Sequence, residues 1–249
     1  LDYQLSVLSK NISMEIFDGQ GNPVNRFGAD DKAETVDSTR LQHPTYWMRP
    51  LQQLRATPGH HRFIWNLRHK APRGAERSFP IAAVKRNTPS APLGPWVSPG
   101  TYTIRLSVDG QIMERKIQVQ LDPRSKIDEA ALQLQSSLSL QCYADYEKLQ
   151  DMRETVDARL ADPKKGKKER ESLRKLRGEG NPEGGDILYG SIVQTPLEQE
   201  TLVSLQGKLI FLLEVLQSAD ARPTSQTQEA VLTLAKQTQA ILQRGKSML

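Results

Sequence analysis

Residues that build covalent or metal-held frameworks are scarce in this chain. Its 249 residues include one cysteine, Cys142. An internal disulfide is therefore impossible, and a cysteine-based zinc site is excluded. On a helix, a lone cysteine reads as a small core residue. No run approaches the roughly 20 apolar residues a membrane helix needs. The densest, "LIFLLEVL" (209–216), is short and carries Glu214. No signal-peptide or transit-peptide pattern is visible. The chain opens on Leu1 and runs straight into the strand-like "LDYQLSVL", so it is expected to be a piece of a longer polypeptide, cut at a domain edge. Nucleophile elbows (G-x-S-x-G), phosphate loops and G-x-G-x-x-G turns do not occur. "GDILYGS" (185–191) has glycines but no lysine, and reads as a link whose Ile187, Leu188 and Tyr189 tuck against helices.

Charge is present but concentrated. The net charge is +5, yet eight Lys/Arg between Lys164 and Arg177 face only Glu169 and Glu171, a local +6. The basic character belongs to one segment, which argues against a nucleic-acid-binding domain. That segment has no aromatic for base stacking and only two leucines for a membrane face. Lys164, Lys165, Lys167 and Lys168 are the candidate polyanion contacts.

The first half of the chain alternates with period two. "NISMEIFD" (11–18) puts Ile12, Met14 and Ile16 on one face. "DGQGN" (18–22) is a turn, and a return strand is expected from near Val24. In "HHRFIWNLRHK" (60–70), His61, Phe63, Trp65 and Leu67 share a face. Residues 28–45 read as a polar loop, and 71–99 as a proline-rich irregular excursion. "SPGTYTIRLSVDGQIMERKIQVQLDPR" (98–124) is a hairpin. Tyr102, Ile104, Leu106 and Val108 point one way, and Asp109-Gly110 makes a two-residue turn. Met113, Ile117, Val119 and Leu121 line the return strand, interrupted by Arg115. Asp122-Pro123 ends the pairing. Short strands joined by turns indicate a small antiparallel sandwich.

Within four residues of Pro123 the period becomes 3.6. Ser125 with Asp128 or Glu129 predicts a helix start. Ile127, Ala131, Leu134, Leu138, Cys142, Leu149, Met152, Val156 and Leu160 then form one stripe. A helix of about 35 residues is ~50 Å long, so it needs other helices to pack on. Residues 167–177 predict a short basic helix with Leu173 and Leu176 inward. Thr195, Pro196 and Glu198 read as the start of a third helix, with Leu202, Leu205, Leu209, Leu212 and Leu216 as its seam. Pro223 precedes a fourth, capped by Ser225 and Gln228 and buried along Ala230, Leu234 and Ile241. The expected fold class is α+β: an Ig-like antiparallel β-sandwich (1–123) followed by an antiparallel helical bundle (124–249) of three long helices and one short basic helix.

Few residues are candidates for chemistry. His60 and His61 are adjacent on a strand and point to opposite faces, and His61 and His69 are too far apart for one ion. Asp30, Asp31 and Glu34 lie in a polar loop, while Asp18 and Asp109 are turn residues, so no carboxylate pair has the fixed spacing of a glycosidase. No catalytic residue, metal or cofactor is assigned. Strand alternation places Trp65 and Tyr102 in the core. Tyr46, Trp47 and Trp96 fall in loops and are the candidate interaction residues.

"WNLR" (65–68), "PGTYTIRLSVDG" (99–110), "VQLDPR" (119–124) and "LQSADARPTSQ" (216–226), in this order, resemble the C-terminal region of bacterial BNR/Asp-box, sortilin-like β-propeller proteins. These are commonly labelled glycosyl hydrolases or sialidase-like proteins. The Trp-then-"PGTY" pattern is similar to the Ig-like fold of flagellar hook-capping proteins. Asn66 stands where similar proteins carry Asp, so a carboxylate role there fails. "LDYQL" lacks a second aromatic after Tyr3, and no Asp-box occurs. The resemblance implies a non-catalytic C-terminal scaffold of an exported protein (periplasmic, cell-surface or secreted) that docks an upstream propeller or another protein. Its alternative is a glycoside hydrolase accessory module adding carbohydrate contacts to a cleft in that propeller.

Overall fold

The computed structural model describes residues 1–32, 44–50, 52–75, 85–88, 90–178 and 199–249. Among them the chain is mixed α+β, with two antiparallel sheets and four helices. It divides into two compact units: Leu1–Lys70 with Phe79–Lys126, and Ala71–Ser78 with Ile127–Leu249. A division at 123/124 treats the chain as two uninterrupted halves. Here a short segment from the proline-rich excursion is grouped with the helices.

In the first unit, β1 (Asp2–Leu5) pairs with β4 (Gly59–Arg62) as a two-stranded ribbon. β2 (Ile12–Phe17), β3 (Pro23–Gly28), β5 (Gly100–Val108) and β6 (Gln111–Val119) form a second sheet in the order β3-β2-β5-β6. Alternation decides what is covered. Ile12, Met14 and Ile16 are buried together with Val24, Tyr102, Ile104 and Val119 from the neighbouring strands. Leu5, Leu54, Phe63, Trp65 and Val97 complete the cluster. Each fully covered large side chain contributes about 1.5–3 kcal/mol. The Trp65 and Tyr102 rings meet edge to face at 5.6 Å, and the Tyr102 hydroxyl donates to the Ser98 carbonyl at 2.7 Å. Asp109 (φ 49°) and Gly110 (φ 88°) both adopt the left-handed region a type I′ turn requires.

Two strand expectations need correction. Leu67 is exposed rather than sharing the Trp65 face, because its φ of 57° turns the chain and ends the alternation at Trp65. On β6, Met113 is 50% exposed and Ile112 63% exposed, while Ile117 and Val119 are covered. β6 is the edge strand, and the core does not extend under its first half. Leu121 lies beyond the strand, which ends at Val119.

The second unit holds α1 (Glu129–Ala161), α2 (Lys167–Arg177), α3 (Leu202–Leu216) and α4 (Ser225–Met248). The strand-to-helix switch is confined to the residues between Val119 and Glu129. Asp128, not Ser125, caps α1, its carboxylate accepting from the Ala131 amide at 2.8 Å. Thr201 caps α3 and Ser204 returns the bond at 3.1 Å, a reciprocal box. The expected start at 195–198 lies outside the described residues, as do Glu34 and the 187–189 apolar run. Thr224 rather than Ser225 caps α4. Both residues are competent caps, and the helix takes the earlier one.

Leu149, Val156, Leu173, Leu202, Leu205 and Leu209 are almost wholly buried in one apolar core shared by the four helices. Leu173 and Leu176 anchor α2 as the spacing predicts. Val231, Leu234 and Ile241, not Ala230, carry the buried stripe of α4. The α1 stripe is less apolar than expected, because Gln135, Ser139, Asp145, Gln150 and Arg153 are also buried. Ser139 and Arg153 donate to backbone carbonyls, Asp145 accepts from Gln141 and Lys148, and Gln150 donates to Glu154 and accepts from Gln206. The Gln135 amide donates to the carbonyls of Leu216 and Ala219 at the end of α3, at 2.5 and 2.6 Å. Orphan helix-end carbonyls are thereby satisfied from a neighbouring helix.

Arg73 holds the inserted segment on α1. Its amide and Nε donate to the two carboxylate oxygens of Glu147 at 2.9 and 2.5 Å, and Nη2 donates to Asp151. Glu154 lies 3.6 Å from Nη1. The Tyr146 hydroxyl donates to the Arg73 carbonyl and Arg153 to that of Gly74, both at 3.0 Å. Gly74 has φ 63°, and a Cβ there would stand 2.8 Å from Gln150 Cδ. Any other residue would be strained by the backbone and would have to displace the ends of Gln150 and Arg153.

Candidate interaction site

Thr45–Trp47 form a single 3₁₀ turn. The following backbone is tied to residues 85–88: Arg49 N–H donates to Thr88 O at 2.7 Å, Thr88 N–H to Trp47 O at 3.0 Å and Arg86 N–H to Tyr46 O at 3.1 Å. The Arg49 guanidinium also donates to the Asn87 side chain at 2.8 Å. These bonds fix two rings at a loop surface. Tyr46 is 57% exposed and meets Trp47 edge to face at 6.3 Å. Trp47 is half-buried.

Trp96 has a different setting. The positive φ of Leu67 turns Arg68 toward residues 94–97. Val97 N–H then donates to Leu67 O and His69 N–H to Pro95 O, each at 2.9 Å. The Arg68 guanidinium donates to Gly94 O at 2.8 Å and lies 3.6 Å from the centre of the Trp96 ring. Its carbonyl accepts from the Trp65 indole at 3.0 Å and from the Asn25 amide at 3.1 Å. Burial pulls the guanidinium down to about 10, which leaves it charged at neutral pH. Trp96 keeps 44% of its surface exposed. Among the described residues, no ring contact joins Trp96 to Tyr46 or Trp47.

Reading faces alone misses Arg68. It lies in "WNLR", but the signal that matters is the turn at Leu67, and a leucine gives no hint of positive φ. Arg73 is missed too, although a trace was present: Glu147, Asp151 and Glu154 recur at helical spacing and form an acidic stripe on α1 that calls for a cation.

The basic segment is partly neutralised within its own unit. Lys165 pairs with Glu169 at 2.8 Å, Lys175 with Glu171 at 3.2 Å and Arg177 with Asp157 at 2.5 Å. Arg170 donates to the carbonyls of Asp162 and Lys165. Lys164, Lys167 and Lys168 are exposed.

A shallow depression of about 640 Å³ lies over the β1–β4 ribbon, lined by Asp2, Tyr3, Gln4, His60, His61 and Arg62. Its charges are spent on each other, with Arg62 donating to both oxygens of Asp2 at 2.7 and 3.1 Å. His61 Nε2 is 2.6 Å from the Thr57 carbonyl. Among the described residues no group of three metal-ligating side chains occurs. Burial, with the Asp145 charge adding to it, pushes the Cys142 thiol up to about 12, so it is not a nucleophile in the folded chain. Among the described residues no helix is long and apolar enough to cross a membrane.

Comparison with known protein families, with curated proteins and with solved structures finds no match.

Proposed function

We propose that this chain is a non-catalytic scaffold of an exported sortilin-like propeller protein, an Ig-like sandwich followed by an antiparallel helical bundle. It docks the propeller of its own polypeptide or a second protein through Trp96, Tyr46 and Trp47. One observation carries the reading: large aromatic rings sit at the surface, in loops tied by backbone bonds and, at Trp96, against a half-buried arginine. Ordered, amphipathic rings of this kind supply much of the energy of protein interfaces at low entropic cost.

The carbohydrate alternative would use the same loop rings, Tyr46, Trp47 and Trp96, and the last of these carries a cation. A sugar platform offers an open aromatic face, and here Arg68 occupies one face at 3.6 Å. That favours a protein partner. The test is association of the chain with its upstream region. Trp96→Ala and the Tyr46→Ala/Trp47→Ala pair are expected to weaken binding at least tenfold, about 1.4 kcal/mol or more for central aromatic anchors, with melting curves retained. Unchanged binding by all the variants rejects the docking role. Loss of glycan retention on a sugar array instead favours the accessory-module alternative.

A further inference from the structure

β6 is the last strand of its sheet, and among the described residues β5 is its only neighbour. Gln111–Lys116 are exposed in succession, on both faces. The Asp109-Gly110 turn makes Val108–Gln111 the closing hydrogen-bonded pair, and such pairs recur every second residue. Gln111, Met113, Arg115, Ile117 and Val119 thus direct their backbone bonds toward β5. Ile112, Glu114, Lys116 and Gln118 direct theirs outward, to the open edge.

The outer face of the sheet adds a charge pattern. Register places Arg26 beside Glu15, Glu15 beside Arg105 and Arg105 beside Glu114. The last pair is bonded at 2.7 Å. Signs therefore alternate strand by strand across all four strands, and the row ends in an anion at the open edge. A next strand that continues the row must offer a cation opposite Glu114.

We propose that this strand is β6 of a second copy of the chain, paired antiparallel about a two-fold axis at Arg115. Arg115 is the midpoint of the nine residues Gln111–Val119, so this register pairs the whole strand. It sets Lys116 of each copy opposite Glu114 of the other, in hydrogen-bonded positions on the outer face. It also sets Met113 opposite Ile117 and so covers the exposed Met113 of each copy. Shifting the axis to Glu114 would oppose two glutamates. The chosen register brings the two Arg115 side chains near each other, and both reach solvent. Edge charges ordinarily discourage strand pairing. Here their order makes the edge complementary to its own two-fold image and to few other strands.

Light scattering on the full chain over a concentration series, up to its solubility limit, tests this. The wild type should reach twice the 28.0 kDa mass of one chain. Glu114→Lys and Lys116→Glu should each abolish the dimer, because each opposes like charges twice. An equimolar mixture of the two variants should regain it, since both pairs between positions 114 and 116 are then of unlike sign, and recovery also shows that both variants fold. A monomeric wild type, a dimer that survives the single substitutions, or a mixture that stays monomeric overturns the proposal.

Discussion

The Arg68 guanidinium lies 3.6 Å over the Trp96 ring while its own carbonyl receives the Trp65 indole at 3.0 Å. One residue thus ties a core tryptophan to a surface one. Arg68→Ala should cost about 1–3 kcal/mol, from one stacked cation and one hydrogen bond to Gly94. Trp96 emission should shift to the red as its ring loses that cover. Arg68→Lys should recover only part of the loss, because an ammonium cannot stack as a plane. Chemical denaturation and fluorescence on the three proteins decide it.

Arg73 meets Glu147, Asp151 and Glu154 on successive turns of α1. Its side chain is 39% exposed, so solvent screens part of each attraction. Arg73→Ala should destabilise by about 1–2 kcal/mol and raise amide exchange at residues 71–75. The gap from wild type should narrow in high salt. Gly74→Ala should cost at least as much, about 1–2 kcal/mol, through strain and overlap with Gln150. That gap should not narrow with salt.

Cys142 is raised by burial from its ordinary 9.0 to about 12. The folded chain therefore holds the thiol proton more tightly than the unfolded chain. Its contribution to stability is complete below pH 9 and is lost as pH rises from there through about 12, at up to about 1.4 kcal/mol per pH unit. Cys142→Ala should flatten that part of the pH–stability curve. A thiol reagent should label the native protein only as fast as it opens. Rapid labelling at neutral pH, or an unchanged alkaline slope in the variant, contradicts the burial.

Leu67 holds φ 57° with its side chain exposed. A left-handed conformation costs a non-glycine residue roughly 1–2 kcal/mol, offset in part by glycine's greater freedom when unfolded. Leu67→Gly should leave the melting temperature unchanged or raise it by a few degrees, corresponding to at most about 1 kcal/mol. A clear loss of stability would mean the side chain packs.

Much of the fold could be read from period and turn chemistry. Ile12, Met14 and Ile16 share a buried face because alternation in an antiparallel strand leaves no other arrangement. Asp109-Gly110 turns because both positions accept positive φ. Leu173 and Leu176 are the only apolar residues of α2, so they must face inward. What could not be read depends on distant parts of the chain. β1 pairs with β4 across more than fifty residues. Met113 looks like core until β6 proves to be an edge. Gln135 is buried because the end of α3 needs donors, which α1 alone does not reveal. Tyr46, Trp47 and Trp96 were legible as unexplained aromatics, but the arginine holding Trp96 was hidden behind one unusual backbone angle.

The proposed docking role is tested most directly by oxidative labelling of Trp96 in this chain alone and in the presence of the proposed propeller or partner protein. Trp96 is 44% exposed here and should label readily. On adding the proposed propeller or partner, its labelling should fall several-fold while the exposed Ile64 and Leu232 label as before. Equal Trp96 labelling in every state would mean that nothing docks on this surface.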